Sequence, residues 1–440
     1  MECIDRPTVR VRLSAVLGTG RHADRCQCIY KNIDTPARQA LGRGRCTPNF
    51  SKHMIQLRNL KRNLVHSIFQ PGYAWKAFKQ RLLSYLTYAV YDGYSYYPET
   101  VDLFLTYRCN LRCKMCGQWG MAGTSRDMST EELKDELSLD EIYEIINDIK
   151  TFKPNVTLFG GEPLLYSNWE KAVSRIKEEG MRCNIITNGI LLGKYAGSII
   201  DLGVDEIIFS LDGPREVHDE VRSAKGTFDK ACRGLKLIRD IKEKSGTNKP
   251  VVNISSTIFE INYRRLDELI SIAEELKAST ITFHHLIFLS KKMYDQHNKI
   301  FNDYYGMTCN DWRGFVRDSL PDIDVDFLIR KIEDINKRNS KVKIAFYPNF
   351  TNKEIRRYYT EFDFASSDYG KRCLSPWMVS YIFPDGTVRP CQSLNFSPGN
   401  VRKESFRKIW NNEKYMRFRG ITKKEKKYPA CTRCTELYRF

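Results

Sequence analysis

The sequence predicts an α/β fold built on a parallel sheet. Between residues 101 and 288, six short apolar segments alternate with five amphipathic stretches of helical period. Strands that alternate with helices pair in parallel through right-handed crossovers. A third observation supports this: the Gly-, Asp- and Arg-containing motifs all fall just after strands. The carboxyl ends of strands are where such sheets bind their ligands.

In chain order, the expected strand 101–106 (VDLFLT) precedes a helix over 139–151, opened by Ser138 and Glu141 in capping-box spacing. Strand 155–159 leads to helix 169–179, strand 183–187 to helix 191–202, and strand 206–211 to helix 228–244. Strand 251–258 and helix 263–276 are followed by strand 280–288. Residues 290–370 read as a connecting helical region with a helix over 327–338 and one strand, 343–347, and no motif stands out there. A hairpin is expected to turn at Pro384-Asp385-Gly386, and a helix to cover 406–418.

Ahead of the sheet, residues 74–91 place Trp75, Phe78, Leu82, Leu83, Leu86 and Val90 at helical spacing, with Lys76, Lys79 and Arg81 between them. Such a helix either packs over one end of the sheet or lies on a membrane surface. Residues 54–98 form this helical extension. Residues 1–53 are Arg-rich and aperiodic, and fit a disordered basic extension or a stretch upstream of a start at Met54. Their Cys3, Cys26, Cys28 and Cys46 match no ligand spacing.

With 440 residues, 42% of them hydrophobic, the chain can bury a large core plus one or two smaller units. The formal charge of +18 suits an anionic partner such as nucleic acid, a membrane face or an acidic peptide, or simply a basic surface. Fourteen irregularly spaced Cys do not make a disulfide scaffold. No apolar run approaches the ~18–20 residues of a membrane span. With no secretory signal visible, a cytoplasmic protein is expected, with peripheral membrane contact as an option.

Cys109, Cys113 and Cys116 form a C-x3-C-x2-C loop directly after the first strand. Three thiolates hold three corners of a [4Fe–4S] cube and leave one iron without a protein ligand, open to a small molecule. A zinc loop would want a fourth ligand, and His53, His66 and His218 are far away in sequence. Gly160-Gly161-Glu162-Pro163 follows the second strand, Thr187-Asn188-Gly189 the third, and Ser210-Leu211-Asp212-Gly213 the fourth. His218-Asp219-x-x-Arg222 and Gly226-Thr227-Phe228 come next.

Together these pieces resemble the radical S-adenosylmethionine (SAM) superfamily, from about residue 99 to the end of the chain. The resemblance implies a partial (βα)6 barrel over 99–289. It also implies that the open iron binds SAM and that reductive cleavage yields a 5'-deoxyadenosyl radical. An external electron donor such as flavodoxin or ferredoxin is implied with it. It assigns the SAM amino group to Gly160, Gly161, Glu162 and Pro163, the ribose and carboxylate to the region of Ser210 and Asp212, and the carboxylate to Arg222. Met115 stands where an aromatic residue is usual, and Ser223 where Gly is usual. Ser255, His284 and His285 are further candidates to line the cavity. Adjacent strand residues face opposite sides, so only one of the two His can point in.

Cys373-x12-Gly386-x4-Cys391 followed by Cys431-x2-Cys434 resembles the small α+β SPASM domain, here over 371–440. Further Cys beyond the C-x2-C are missing, which is similar to the truncated Twitch form and implies one fully ligated auxiliary [4Fe–4S] cluster. A cluster without an open iron serves as an electron relay, so a net oxidation of a small molecule or lipid is expected. A ribosomally made peptide is the alternative substrate, although residues 1–98 show no winged-helix pattern to bind a leader. The reading from another class is a zinc-containing nucleic-acid-binding protein; it leaves the strand-end motifs without a purpose.

Overall fold

The computed structural model describes residues 71–440; the expectations for 1–53 and for residues 54–70 lie outside the described residues. Helix α1 is Pro71–Val90. The sheet strands are β1 Thr100–Phe104, β2 Asn155–Phe159, β3 Arg182–Thr187, β4 Glu206–Ser210, β5 Val251–Thr257, β6 Thr280–His284 and β7 Lys343–Tyr347. They are joined by α2 Leu139–Ile149, α3 Trp169–Glu178, α4 Leu192–Asp201, α5 Arg215–Val221, α6 Thr227–Ser245, α7 Leu266–Glu275, α8 Lys291–Tyr305 and α9 Val325–Lys337. Helix α10 is Asn352–Thr360; strands β8 Val379–Ile382, β9 Thr387–Arg389 and β10 Gly399–Asn400 follow, then α11 Phe406–Trp410 and α12 Glu413–Glu425.

All ten strands form one sheet in the order β10-β9-β8-β1-β2-β3-β4-β5-β6-β7. From β8 to β7 every neighbouring pair is parallel. The α/β fold with a parallel core is therefore as expected, and its sheet is open at both ends, as a partial barrel requires. The expected strand at 343–347 extends it at one edge. At the other edge β8 of the carboxyl-terminal region lies against β1, with Asp102 opposite Tyr381.

Period-two burial fixes which way each strand faces. Cys183, Ile185, Ile207, Phe209, Ile254, Ile281 and Phe283 are buried under the helices. Against them α2 lays Ile142, Ile145, Ile146 and Ile149, each contributing about 1.5–3 kcal/mol. The capping box read at Ser138 and Glu141 starts this helix as expected. The opposite strand face is polar and only partly covered. Ser210, Ser255, Thr282 and Ala345 form one row across it, with Thr257, His284 and Tyr347 in the next.

Some elements depart from expectation: the strand expected over 280–288 ends at His284. The helix expected over 406–418 is two helices, because Asn412 accepts from the backbone N–H of Tyr415 and starts α12 afresh. Helix α1 packs inward through Ala77, Ser84 and Tyr88, while Trp75 and Phe78 stack on each other in solvent. Among the described residues no helix is long and apolar enough to cross a membrane.

Candidate functional site

The loop carrying Cys109, Cys113 and Cys116 leaves β1 and is closed on itself by Trp119. The backbone N–H of Trp119 donates to Cys116 Sγ (3.3 Å), and its indole N–H donates to the Tyr107 carbonyl (2.9 Å). Arg112 lies over the Trp119 ring at 3.9 Å and donates to the Cys109 carbonyl. Burial, with smaller contributions from the other two thiols, pushes the Cys109 thiol up to about 12. Cys113 is raised for the same reason, with Arg222 opposing.

The turn after β2 packs directly on this loop. The Gly161 N–H donates to the Thr106 carbonyl and the Glu162 N–H to the Arg108 carbonyl. A Cβ on Gly161 would sit 2.3 Å from the Arg108 oxygen, and one on Gly160, at φ 144°, 2.7 Å from that of Thr106. The two glycines thus admit the cysteine loop's own backbone. The Glu162 side chain is buried and accepts from Thr187 Oγ1, the Asn188 N–H and the Leu164 N–H, which ties the ends of β2 and β3 together. Burial pushes its carboxyl up to about 7. Asn188 in turn donates to Asn110, between the first two cysteines.

After β4, Asp212 is the hub. Its Oδ1 accepts from the Thr257 N–H, its N–H donates to His218 Nδ1, and its Oδ2 stands 2.6 Å from Arg222 Nη2. The other terminal nitrogen of Arg222 donates to Cys113 Sγ at 3.5 Å, while its Nε has no partner among the described residues. Asp219 caps α6, accepting from Thr227 Oγ1 and the Phe228 N–H. Of the two adjacent histidines, His284 lies on the partly covered face beside Tyr347, whereas His285 is buried against Tyr358 and Tyr359.

The carboxyl-terminal thiols also converge. Cys373 feels Cys431 and Cys434, and Cys391 feels all three others. Burial is the main cause that raises all four thiols above the ordinary range. The β8–β9 hairpin turns at Pro384-Asp385-Gly386 as expected, with Gly386 at φ 81° and the Thr387 N–H donating to Asp385.

Residues 308–317, where sequence patterns gave no motif, touch both cysteine sets. Phe315 lies against Gly117, beside Cys116. Asp311 pairs with Arg389 (3.2 Å), and the buried Cys309 donates to the Ser393 carbonyl.

The donor chemistry of the two sets, three thiols in one loop and four in the carboxyl-terminal region, suits iron–sulfur clusters. Among the described residues no three His, Cys, Asp or Glu side chains stand close enough to hold one metal ion. Tetrahedral zinc with Zn–S near 2.3 Å draws its sulfurs to within about 4 Å of one another.

Residues 103–273 match the Radical SAM superfamily model, and residues 373–435 match the SPASM model, an iron–sulfur cluster-binding domain. The Fe-coproporphyrin III synthase of Methanosarcina barkeri is 26% identical over 350 residues, covering 76% of this chain and 79% of that protein. A tungsten-containing aldehyde ferredoxin oxidoreductase cofactor-modifying protein of Pyrococcus furiosus is 26% identical over 353 residues, 76% of this chain and 86% of that one. The crystal structure of Streptococcus suis SuiB bound to precursor peptide SuiA shares the fold. Its TM-score is 0.53 at 14% identity, over 92% of this chain and 86% of that one. Strand-end motifs, a three-thiol loop and a four-thiol set agree with these matches: the chain belongs to the radical SAM superfamily, as an enzyme that uses SAM and [4Fe–4S] clusters and carries a SPASM domain.

Proposed function

We propose that this enzyme carries out a net oxidation of a small carboxylated substrate of the porphyrin class. The observation that carries the oxidative reading is the closed carboxyl-terminal set. The four thiols, which lie within one another's electrostatic reach, would fill every corner of a cube and leave no iron for a substrate. A cluster held by Cys109, Cys113 and Cys116 would supply the electron that cleaves SAM, and one held by Cys373, Cys391, Cys431 and Cys434 would supply an acceptor for the electron the substrate must lose.

The balance is simple. The substrate gives one hydrogen atom to the adenosyl carbon, then one electron to the acceptor, and releases a proton or, from a carboxylated side chain, carbon dioxide. The first electron comes from outside, from a reduced ferredoxin or flavodoxin.

In this reading the backbone of Gly160, Gly161, Glu162 and Pro163 meets the SAM amino group, and Ser210 and Asp212 flank its ribose. Arg222 receives the carboxylate; its unpartnered Nε is the donor in reserve. Ser255, Thr282 and His284, on the polar strand face, line the substrate space. The substrate class rests on relatives named as porphyrin enzymes, among them an AdoMet-dependent heme synthase of Methanosarcina barkeri, 24% identical over 331 residues. The basic charge suits a polycarboxylate. A peptide substrate has no such support, because the likeness to SuiB is one of fold.

The test is anaerobic turnover of the reconstituted enzyme with SAM, reductant, and coproporphyrin III with and without iron. Formation of 5'-deoxyadenosine in step with loss of substrate mass is the expected result. If no porphyrin raises 5'-deoxyadenosine above the rate without substrate, the assignment of substrate class fails.

A further inference from the structure

Next to the carboxyl-terminal thiols the protein buries polar groups that nothing else in it satisfies. His297, on α8, is fully buried, and neither ring nitrogen has a hydrogen-bond partner among the described residues. The indole N–H of Trp312, also buried, has none either, and the two rings lie 6.2 Å apart. Leaving such a group dry is costly, so a bound water, ion or cofactor is the usual explanation.

The surroundings point to the cofactor. The His297 ring meets Tyr428 at 5.9 Å, and the carbonyl of Tyr428 accepts from the Cys431 N–H. Trp312, Tyr428, Cys309 and Cys434 share one apolar cluster, against which Cys391 and Cys431 pack. From the same side runs a chain of hydrogen bonds. The Cys309 N–H donates to Asn298, next to His297; the Cys309 thiol donates to the Ser393 carbonyl; and the Ser393 N–H reaches Cys391 Sγ at 3.5 Å. Donors therefore gather from α8 and the turn after it onto the shell of the thiol set.

We propose that His297 supplies a hydrogen bond to the sulfur of the auxiliary centre and sets its reduction potential, with Trp312 and the Cys309–Ser393 chain as its companions. Donors to cluster sulfur stabilise the extra negative charge of the reduced state and so raise the potential. A centre that takes an electron from substrate needs that bias. The inference thus rests on the electron-acceptor reading given above.

The test is a redox titration of the full-length reconstituted protein, followed by electron paramagnetic resonance, with iron counted per chain. His297→Phe fits among Phe301, Trp312 and Tyr428 and removes only the ring nitrogens. It is expected to keep about eight irons, to shift the auxiliary midpoint to a more negative potential and to leave the amino-proximal one unmoved. His297→Gln, which keeps an N–H, is expected to stay near wild type. An auxiliary midpoint unchanged in His297→Phe overturns the proposal. Should that variant lose its iron, Trp312→Phe and Cys309→Ala decide by the same measure, and an unmoved midpoint in both overturns it. About four irons in wild type would instead sink the electron-acceptor reading itself, and this inference with it.

Discussion

The guanidinium of Arg222 stands 3.5 Å from the sulfur of Cys113 while holding Asp212 at 2.6 Å. A fixed positive charge thus borders one thiol of the open set and is itself fixed by a buried carboxylate. Removing one partner strands the other in low dielectric. Arg222→Met is expected to destabilise the apo chain by about 3–5 kcal/mol. Combining it with Asp212→Asn should cost less than the two single changes added together. Urea unfolding of the four proteins checks this, and strict additivity would deny the coupling.

One residue further, Ser223 sits at φ 56°, the left-handed conformation that a side chain resists. The usual Gly of the related motif is therefore a demand of this turn. Ser223→Gly should relieve about 1–2 kcal/mol of strain and lose part of that to the greater freedom of the unfolded chain. A net gain of about 0.5–1 kcal/mol in unfolding free energy is expected. A loss of stability would show that the serine hydroxyl contributes more than the backbone strain costs.

Asp102 lies on the polar face of β1, opposite Tyr381 and Thr157. Burial pushes its carboxyl up to about 7, against the pull of Arg439 and the Thr157 hydroxyl. The folded value is above the unfolded one, so the folded chain holds the proton more tightly. Stability is then full below about pH 4 and declines as pH rises through 7. The slope is at most one proton, about 1.4 kcal/mol per pH unit. Asp102→Asn should flatten the curve between pH 5 and 7 in urea titrations; equal slopes in the two proteins would contradict the assignment.

Much of this was legible because it is local. The alternation of apolar strands and amphipathic helices, the capping box at Ser138, the turn at Asp385-Gly386 and both cysteine spacings are written in adjacent residues. The opposite facing of His284 and His285 follows from strand period alone. What stayed hidden depends on contacts between distant segments. Nothing local tells a four-residue strand at Val379–Ile382 to pair with β1. The segment 308–317 carries no repeated pattern, and its position against both cysteine sets comes from where α8 ends. His297 reads as an ordinary core residue until its unpartnered nitrogens are seen. Likewise, Glu162 is marked by its motif, but the three donors it accepts arrive from elsewhere.

Gly161 separates two explanations of its motif. If the glycine serves only to let SAM approach, an added methyl should weaken SAM binding and leave the cluster intact. The structure sets that methyl 2.3 Å from the Arg108 oxygen and 2.6 Å from the Tyr107 oxygen, both backbone atoms of the cysteine loop. Backbone cannot swing aside as a flexible side chain can, so the β2 turn and the loop must part. Gly161→Ala is therefore expected to loosen the amino-proximal set before any ligand is added. After anaerobic reconstitution it should hold about four irons per chain in place of about eight, with the auxiliary signal retained. A full complement of iron with impaired SAM binding would return the glycine to the ligand.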